Sequence, residues 1–226
     1  MALATFKDLC IDVADARVSG TYWSTMLGWR LEMHDDADAH LRDDEGRIQV
    51  WLNVVPEPKS VKNRIHLDVN AESVQRAVDA GARVESELPG WTTLLDPDGQ
   101  EHCVFVRAEP IARRAYELGW DTAEGQESCH RIAAWWAEVV GGSVTDSDGF
   151  SSVEEIAHCP WEFFDFAGVP EAKTAKNRVH IDVTTDDLDA LVAHGATVLR
   201  AKGDGGLGWT VLADPDGNEL CAFTDD

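Results

Sequence analysis

Residues 61–69 read VKNRIHLDV and residues 175–183 read AKNRVHIDV, identical at six of nine positions and 114 residues apart. A longer pair follows in the same order. Residues 90–105, GWTTLLDPDGQEHCVF, return as residues 208–223, GWTVLADPDGNELCAF, identical at eleven of sixteen positions at an offset of 118. Upstream, Trp23, Leu27 and Gly28 of YWSTMLGW lie beside Trp136, Val140 and Gly141 of WWAEVVGG. Self-similarity from near the start of each half to near its end means that the chain is two copies of one domain. The segment AEPIA at 108–112 holds Pro110 and follows the last strand-like residues of the first copy, which puts the domains at 1–109 and 110–226. So short a connection predicts that the copies pack against each other.

Within the first copy, Phe6–Val13 is an apolar run suited to a strand. Asp15 is placed to cap a helix over Ala16–Leu27 that stops at Gly28. Strand-like segments follow at about 29–34, 38–43 and 47–55, completing a βαβββ unit. Pro56 and Pro58 break the pattern. A new strand starts at Ile65, a second helix is expected over Ala71–Ala80 before Gly81, and three more strands are expected at about 82–86, 91–95 and 100–106. Asp96-Pro97-Asp98-Gly99 supplies the last hairpin turn and recurs as Asp214-Pro215-Asp216-Gly217.

Four βαβββ units in two copies, a helix ended at "LGW" and a closing "DPDG" hairpin resemble the vicinal oxygen chelate superfamily. Within it the strings NRIHLDV with DPDGQEHCVF, and NRVHIDV with DPDGNELCAF, are similar to glyoxalase/bleomycin-resistance-like proteins, and to one glyoxalase-like subfamily among them. The resemblance implies an α+β fold of tandem domains, each of two βαβββ units, whose curved mixed sheets form a cup that holds the ligand. It implies no single reaction, because the superfamily includes isomerases, lyases, dioxygenases, epimerases and non-catalytic drug binders.

Alternation along the strands selects the residues that would line such a cup. Ile65, Leu67 and Val69 share a helix-facing side, while Arg64, His66 and Asp68 share the other; Arg178, His180 and Asp182 repeat the pattern. Glu101, Cys103 and Phe105 face the cup with Glu219, Cys221 and Phe223 as counterparts, so His102 falls on the helix side. Trp91 and Trp209 are candidates for an aromatic wall. Trp51 takes the cup-facing phase of its strand with Gln49 and Asn53, and its counterpart in the second copy is Asp165, so the two cups are expected to differ. His66 and His180 are the candidate acid/base groups, with Glu101 and Glu219 as partners or carboxylate bases. Arg64, Asp68, Trp51, Trp91, Cys103, Arg178, Asp182, Trp209 and Cys221 are the candidate ligand contacts. The same four groups Arg64, His66, Asp68 and Glu101 would serve equally as a satisfied polar network between strands.

The resemblance further implies that metal-dependent relatives carry His, Gln or Glu on facing strands. Its ligand places fall at Asp8, Arg64 and Cys103, and at Arg178 and Cys221. A guanidinium donates hydrogen bonds only and would repel a cation, which favours a metal-free protein with no cofactor. His66 and Glu101 with Asp68 form the alternative metal set.

The chain has 226 residues, 42 acidic against 19 basic, a formal charge of −23 and 44% apolar residues. A surface this acidic opposes nucleic acid and anionic membrane as partners and leaves neutral or cationic small molecules. The start of the chain lacks a signal-peptide pattern and no apolar run is long enough to span a bilayer, so the expected location is cytoplasmic. The five cysteines have no CxxC spacing and read as reduced thiols. A fused chain of this kind is expected as a pseudo-dimeric monomer or as a homodimer. The functional readings are a small-molecule-binding glyoxalase-like protein, a metal-dependent lyase, isomerase or dioxygenase, an antibiotic-sequestering resistance protein, and a module whose sheet face binds protein.

Overall fold

The computed structural model describes residues 2–224. The first copy supplies β1 (Thr5–Val13), α1 (Ala16–Leu27), β2 (Arg30–Met33), β3 (Ala39–Arg42), β4 (Ile48–Val54), β5 (Ile65–Ala71), α2 (Val74–Asp79), β6 (Arg83–Leu88), β7 (Trp91–Leu95) and β8 (Glu101–Val106). The second supplies β9 (Ala115–Ala123), α3 (Gln126–Val140), β10 (Ser143–Ser147), β11 (Phe150–Glu154), β12 (Phe163–Val169), β13 (Val179–Thr184), α4 (Leu188–Ala193), β14 (Thr197–Arg200), β15 (Thr210–Ala213) and β16 (Glu219–Phe223). No described helix is long and apolar enough to cross a membrane.

Local chemistry accounts for α1. Asp15 accepts from the backbone of Arg17 and Val18 at 2.9 and 3.0 Å, and Gly28, at φ 78°, returns its N–H to Ser24 at 2.9 Å. Tyr22, Trp23, Met26 and Leu27 bury the inner face. The second helix is shorter than the expected Ala71–Ala80. Asn70 and Ala71 instead extend β5, because they pair in parallel with Phe105 and Val106, and α2 begins after Ser73.

The strands form two eight-stranded sheets, ordered β14-β15-β16-β13-β1-β4-β3-β2 and β10-β11-β12-β9-β5-β8-β7-β6. Each sheet takes one βαβββ unit from each copy. Antiparallel pairing of β1 with β13 joins the halves of the first sheet, with Cys10 opposite His180, and pairing of β5 with β9 joins the second, with His66 opposite Gly119. Inside each unit the outer pairs are antiparallel, while β1–β4, β13–β16, β5–β8 and β12–β9 are parallel. The helix-facing sides share one continuous apolar core that includes Trp23, Trp120, Trp136, Trp161, Phe164 and Phe166.

Two repeated motifs hold the layers in place. The first Asp of each DPDG turn is buried: Asp96 accepts from Asp98 N and Gln100 N, and from Trp23 Nε1 at 3.1 Å. Asp214 does the same with Asp216, Asn218 and, at 3.2 Å, Trp136 Nε1. Since α1 lies on the first sheet and the Asp96 turn belongs to the second, each clamp ties together the two units of one copy. The KNR repeat is a second lock. Asn63 donates to Gln100 Oε1 at 2.9 Å and Asn177 to Asn218 Oδ1 at 3.0 Å, aligning the starts of adjacent parallel strands.

A fragment of residues 1–109 would leave β1 and β5 with open edges that template pairing with another chain. It is expected to dimerise or aggregate, and co-expression with residues 110–226 should restore one monodisperse complex by size-exclusion chromatography. A well-folded monomeric 1–109 fragment would contradict the shared-sheet architecture.

Candidate functional site

The concave face of each sheet encloses a cavity, and both cups are built across the copies. The second sheet carries the larger, about 880 Å³, and the first sheet one of about 570 Å³. In the larger cup, His66 and Asp68 project from β5, Cys103 from β8, Glu117 from β9 and Asp165 from β12. His66 Nδ1 donates to Asp68 Oδ1 at 2.8 Å, and the same oxygen accepts from Cys103 N at 2.6 Å. Gly119 makes room for this histidine: a Cβ there would stand 2.3 Å from His66 Cε1. Trp91 stacks on Phe105 at 5.9 Å, and Tyr116 bridges Phe105 and Phe163, forming one apolar wall.

Three carboxyl groups therefore meet on the floor of this cup, and none of them forms an ion pair with a Lys or Arg among the described residues. Burial, reinforced by the charges of Asp68 and Asp165, pushes Glu117 up to about 10, so that it is protonated at neutral pH. Burial raises Asp165 to about 6, with Ser152 Oγ donating to it at 2.7 Å. Burial works to lower His66, but the Asp68 carboxylate outweighs it and the net shift is upward.

The smaller cup keeps the histidine, aspartate and cysteine of the repeat but has Asp8, Cys10 and Trp51 where the larger has Glu117, Gly119 and Asp165. His180 and Asp182 come from β13, Cys10 from β1, Cys221 from β16 and Trp51 from β4. Burial drives His180 down to about 4, and burial together with the charge of Asp8 raises Asp182 to about 8. Lys7 Nζ pairs with Asp8 at 2.6 Å. Trp209 stacks on Phe223 at 5.4 Å on one side of the opening, while His34 lies stacked on Trp51 at 5.2 Å on the other.

Several expected roles move. Arg64 and Arg178 line neither cup; they face a crevice of about 600 Å³ between the loops that precede β5 and β13. There Arg64 donates to Glu171 O and Asp121 O, and Arg178 to Glu57 O and Asp12 O. The two arginines therefore put no positive charge at the floor of either cup, because each guanidinium turns away at the start of its strand. Glu101 and Glu219 reach the cup rims, but each is already held, Glu101 by Lys59 Nζ and Asn63 N at 2.7 and 3.1 Å, Glu219 by Lys173 Nζ and Asn177 N at 3.0 and 3.1 Å. Thus Arg64, His66, Asp68 and Glu101 belong to three separate clusters. His102 lies on the helix side, where Tyr22 Oη meets its Nε2 at 2.6 Å and Trp23 packs edge-on. Sequence reading passed over Glu117 and Cys10. The signal was available in the first strands of the copies, where DLCID at 8–12 matches ELGWD at 117–121.

A family model described as "Glyoxalase-like domain" matches residues 8–105 and again 122–223. The chain belongs to the glyoxalase-like domain family. Its tandem arrangement and cross-copy cups are those of the vicinal oxygen chelate fold. Glyoxalase I from Zea mays superposes with a TM-score of 0.68 at 12% identity, over 97% of this chain and 92% of that one. A protein described as a putative dioxygenase from Bacillus subtilis gives 0.65 at 10% identity, over 99% and 86%. At such identities the likeness is one of fold. No curated protein sequence matches this glyoxalase-like chain.

In the larger cup His66, Asp68 and Cys103 bring ligand atoms within 4.8 Å of one another and would hold a divalent cation, which would supply Lewis-acid polarisation of a bound oxygen. The acids around them carry a measurable cost of burial. Because the folded value of Asp165 lies above its ordinary 3.8, its penalty is absent below about pH 4, grows through pH 6 and is full above it. Asp165→Asn is therefore expected to raise the thermal midpoint at about pH 8 by a few degrees, at roughly 2–4 °C per kcal/mol for a chain of this size. That gain should vanish near pH 4. An equal gain at both pH values in calorimetry would contradict the burial of a charged Asp165.

Proposed function

We propose that this glyoxalase-like protein binds a small organic molecule in the larger cup, with a cationic or strongly hydrogen-bond-donating group directed at Asp68, Glu117 and Asp165. The observation that carries the reading is the convergence of three carboxyls, without a lysine or arginine ion pair among the described residues, at the base of an open cavity of about 880 Å³. A ligand ammonium would replace the missing countercharge, and an apolar or aromatic body would lie against Trp91, Phe105, Tyr116 and Phe163. A net charge of −23 raises the local concentration of such cations. Planar cationic antibiotics fall within this class, and sequestration is the non-catalytic form of the same function.

A specific geometry supports an enzymatic form. The His66–Asp68 pair fixes Nδ1 as the donor, and Glu117, which keeps its proton at neutral pH, stands opposite Asp68 across the β5–β9 pairing in the same cup. A base and an acid lining one cup suit proton transfer at carbon or oxygen of a bound carbonyl compound.

A tryptophan-fluorescence and calorimetric screen of aromatic amines against their uncharged isosteres tests the binding reading. Amines should bind and isosteres should not, and Asp68→Asn or Asp165→Asn should weaken binding about 10–100-fold, the worth of one or two charge-assisted hydrogen bonds. Equal binding of both series would remove the reading. If a bound compound is turned over, His66→Ala is expected to lower kcat by about 100-fold or more with the circular dichroism spectrum unchanged.

A further inference from the structure

The outer wall of the smaller cup holds a chain of hydrogen bonds that ends at the cavity. Direct pairing puts Glu32 of β2 beside His40 of β3, His40 beside Trp51 of β4, and Trp51 beside Cys10 of β1, so these side chains form one row across the sheet on its concave face. His34 follows Glu32 by two residues, where β2 enters its turn, and shares that face. His40 Nε2 lies 2.9 Å from Glu32 Oε2, and His34 Nε2 lies 2.7 Å from His40 Nδ1. His40 is buried, whereas His34 is exposed and lines the cup, stacked on Trp51.

The carboxylate fixes the order of donors along this chain. Arg42 Nε, at 3.0 Å, holds Glu32 below the usual carboxylate range with help from Arg30, and an ionised carboxylate only accepts. His40 Nε2 therefore carries a proton. Burial, aided by the charge of Arg42, pushes His40 below its ordinary value, so the ring is neutral and its Nδ1 is an acceptor. His34 Nε2 then donates to it, which leaves His34 Nδ1 as the basic atom, with no hydrogen-bond partner among the described residues. A proton accepted there gives an imidazolium that lies on the face of Trp51 and donates toward the Glu32 carboxylate through His40.

The second copy shows that the hairpin folds without this chain. Its matching row is Thr145, Ser152 and Asp165 in β10, β11 and β12, with no histidine. His180, the acid/base group expected in the smaller cup, is driven down to about 4 by burial and accepts a proton poorly at neutral pH. The other charged groups of the cavity are already held. Lys7, Lys176 and Glu219 are paired with Asp8, Asp12 and Lys173, Arg200 donates to Asp204 O, and Asp36 and Asp38 accept from backbone N–H groups. His34 is thus the exposed imidazole of this cup. Trp209 on Phe223 and Trp51 beside His34 give a flat molecule an aromatic surface on either side of the opening.

We propose that the smaller cup binds a planar weak acid, a flat molecule with an ionisable O–H or N–H, and that His34 Nδ1 accepts its proton while His40 and Glu32 act as positioning residues. In that step the O–H or N–H bond of the ligand breaks, the electron pair stays on the ligand, and an N–H bond forms at His34. The products are an anion and an imidazolium side by side, with no net change of charge. The site is separate from that of the larger cup, whose proposed ligand is cationic.

The test uses the full chain with para-nitrophenol, whose anion absorbs visible light, and para-nitroanisole, which has the same ring and no proton to give. At a pH where free para-nitrophenol is mostly protonated, the protein should raise the anion band. The anisole should bind about 10-fold more weakly or worse, the worth of one charge-assisted hydrogen bond. His34→Gln, at an exposed position, should abolish the band. Glu32→Gln keeps an acceptor for His40 but removes the charge, and should lower the ratio of anion to phenol in the bound probe about 10-fold, which a role in merely holding the hairpin would not do. In long-range proton–nitrogen NMR of the free protein at neutral pH, His34 and His40 should both be Nε2–H tautomers. The proposal is overturned by the absence of an anion band with the wild-type protein, by a band that survives His34→Gln or is unchanged in Glu32→Gln, or by a His40 protonated at Nδ1 alone. The NMR result needs no variant to fold.

Discussion

Backbone hydrogen bonding between strands of different copies is the constraint on which the rest of the molecule depends. β1 against β13 and β5 against β9 are the seams of the two sheets, and each seam runs through the floor of a cup. The residues that face each other there come from opposite halves of the chain: Cys10 meets His180, and Gly119 meets His66. A slip of one residue at either seam would turn every cup-facing side chain toward the helices. The buried core on one face and the acids on the other therefore fix the same register, each by making the alternative costly. The two Asp–Trp clamps from the DPDG turns act between the sheets, binding each copy's first unit to its second across the core.

The local features of this fold were legible in the sequence because their causes are local. Asp15 and Gly28 bound α1 through backbone hydrogen bonds only a few residues long, and the Asp-Pro-Asp-Gly turn carries its geometry in its own composition. The alternation that put His66, Asp68 and Cys103 on one face and His102 on the other is a property of the extended chain itself. The partnership of the units is another matter. β1 has the same pattern of apolar and polar residues whichever copy it pairs with, and no short turn links it to either candidate, so only the packed structure selects β13.

The same reason explains what was misplaced at the site. Arg64 shares its phase with His66, yet it precedes the first paired residue of β5, where its long side chain is free to turn and hold the loop at Glu171. Glu101 and Glu219 point toward their cups, but Lys59 and Lys173, distant in sequence, arrive from loops to neutralise them. Glu117 gave no motif of its own. Its character comes from Asp68 and Asp165 on neighbouring strands, and a pairwise electrostatic effect of that kind has no signature in one stretch of chain.

The glycine at 119 and the cysteine at 10 occupy matching positions in the two seams. In an assembly of two separate identical chains, any change at that position would appear twice, and both hollows would have to tolerate it. Joining the copies into one polypeptide removes that obligation. A mutation can alter one hollow and spare its twin, so a single fused gene can keep two dissimilar chemistries on a scaffold whose symmetry is otherwise intact.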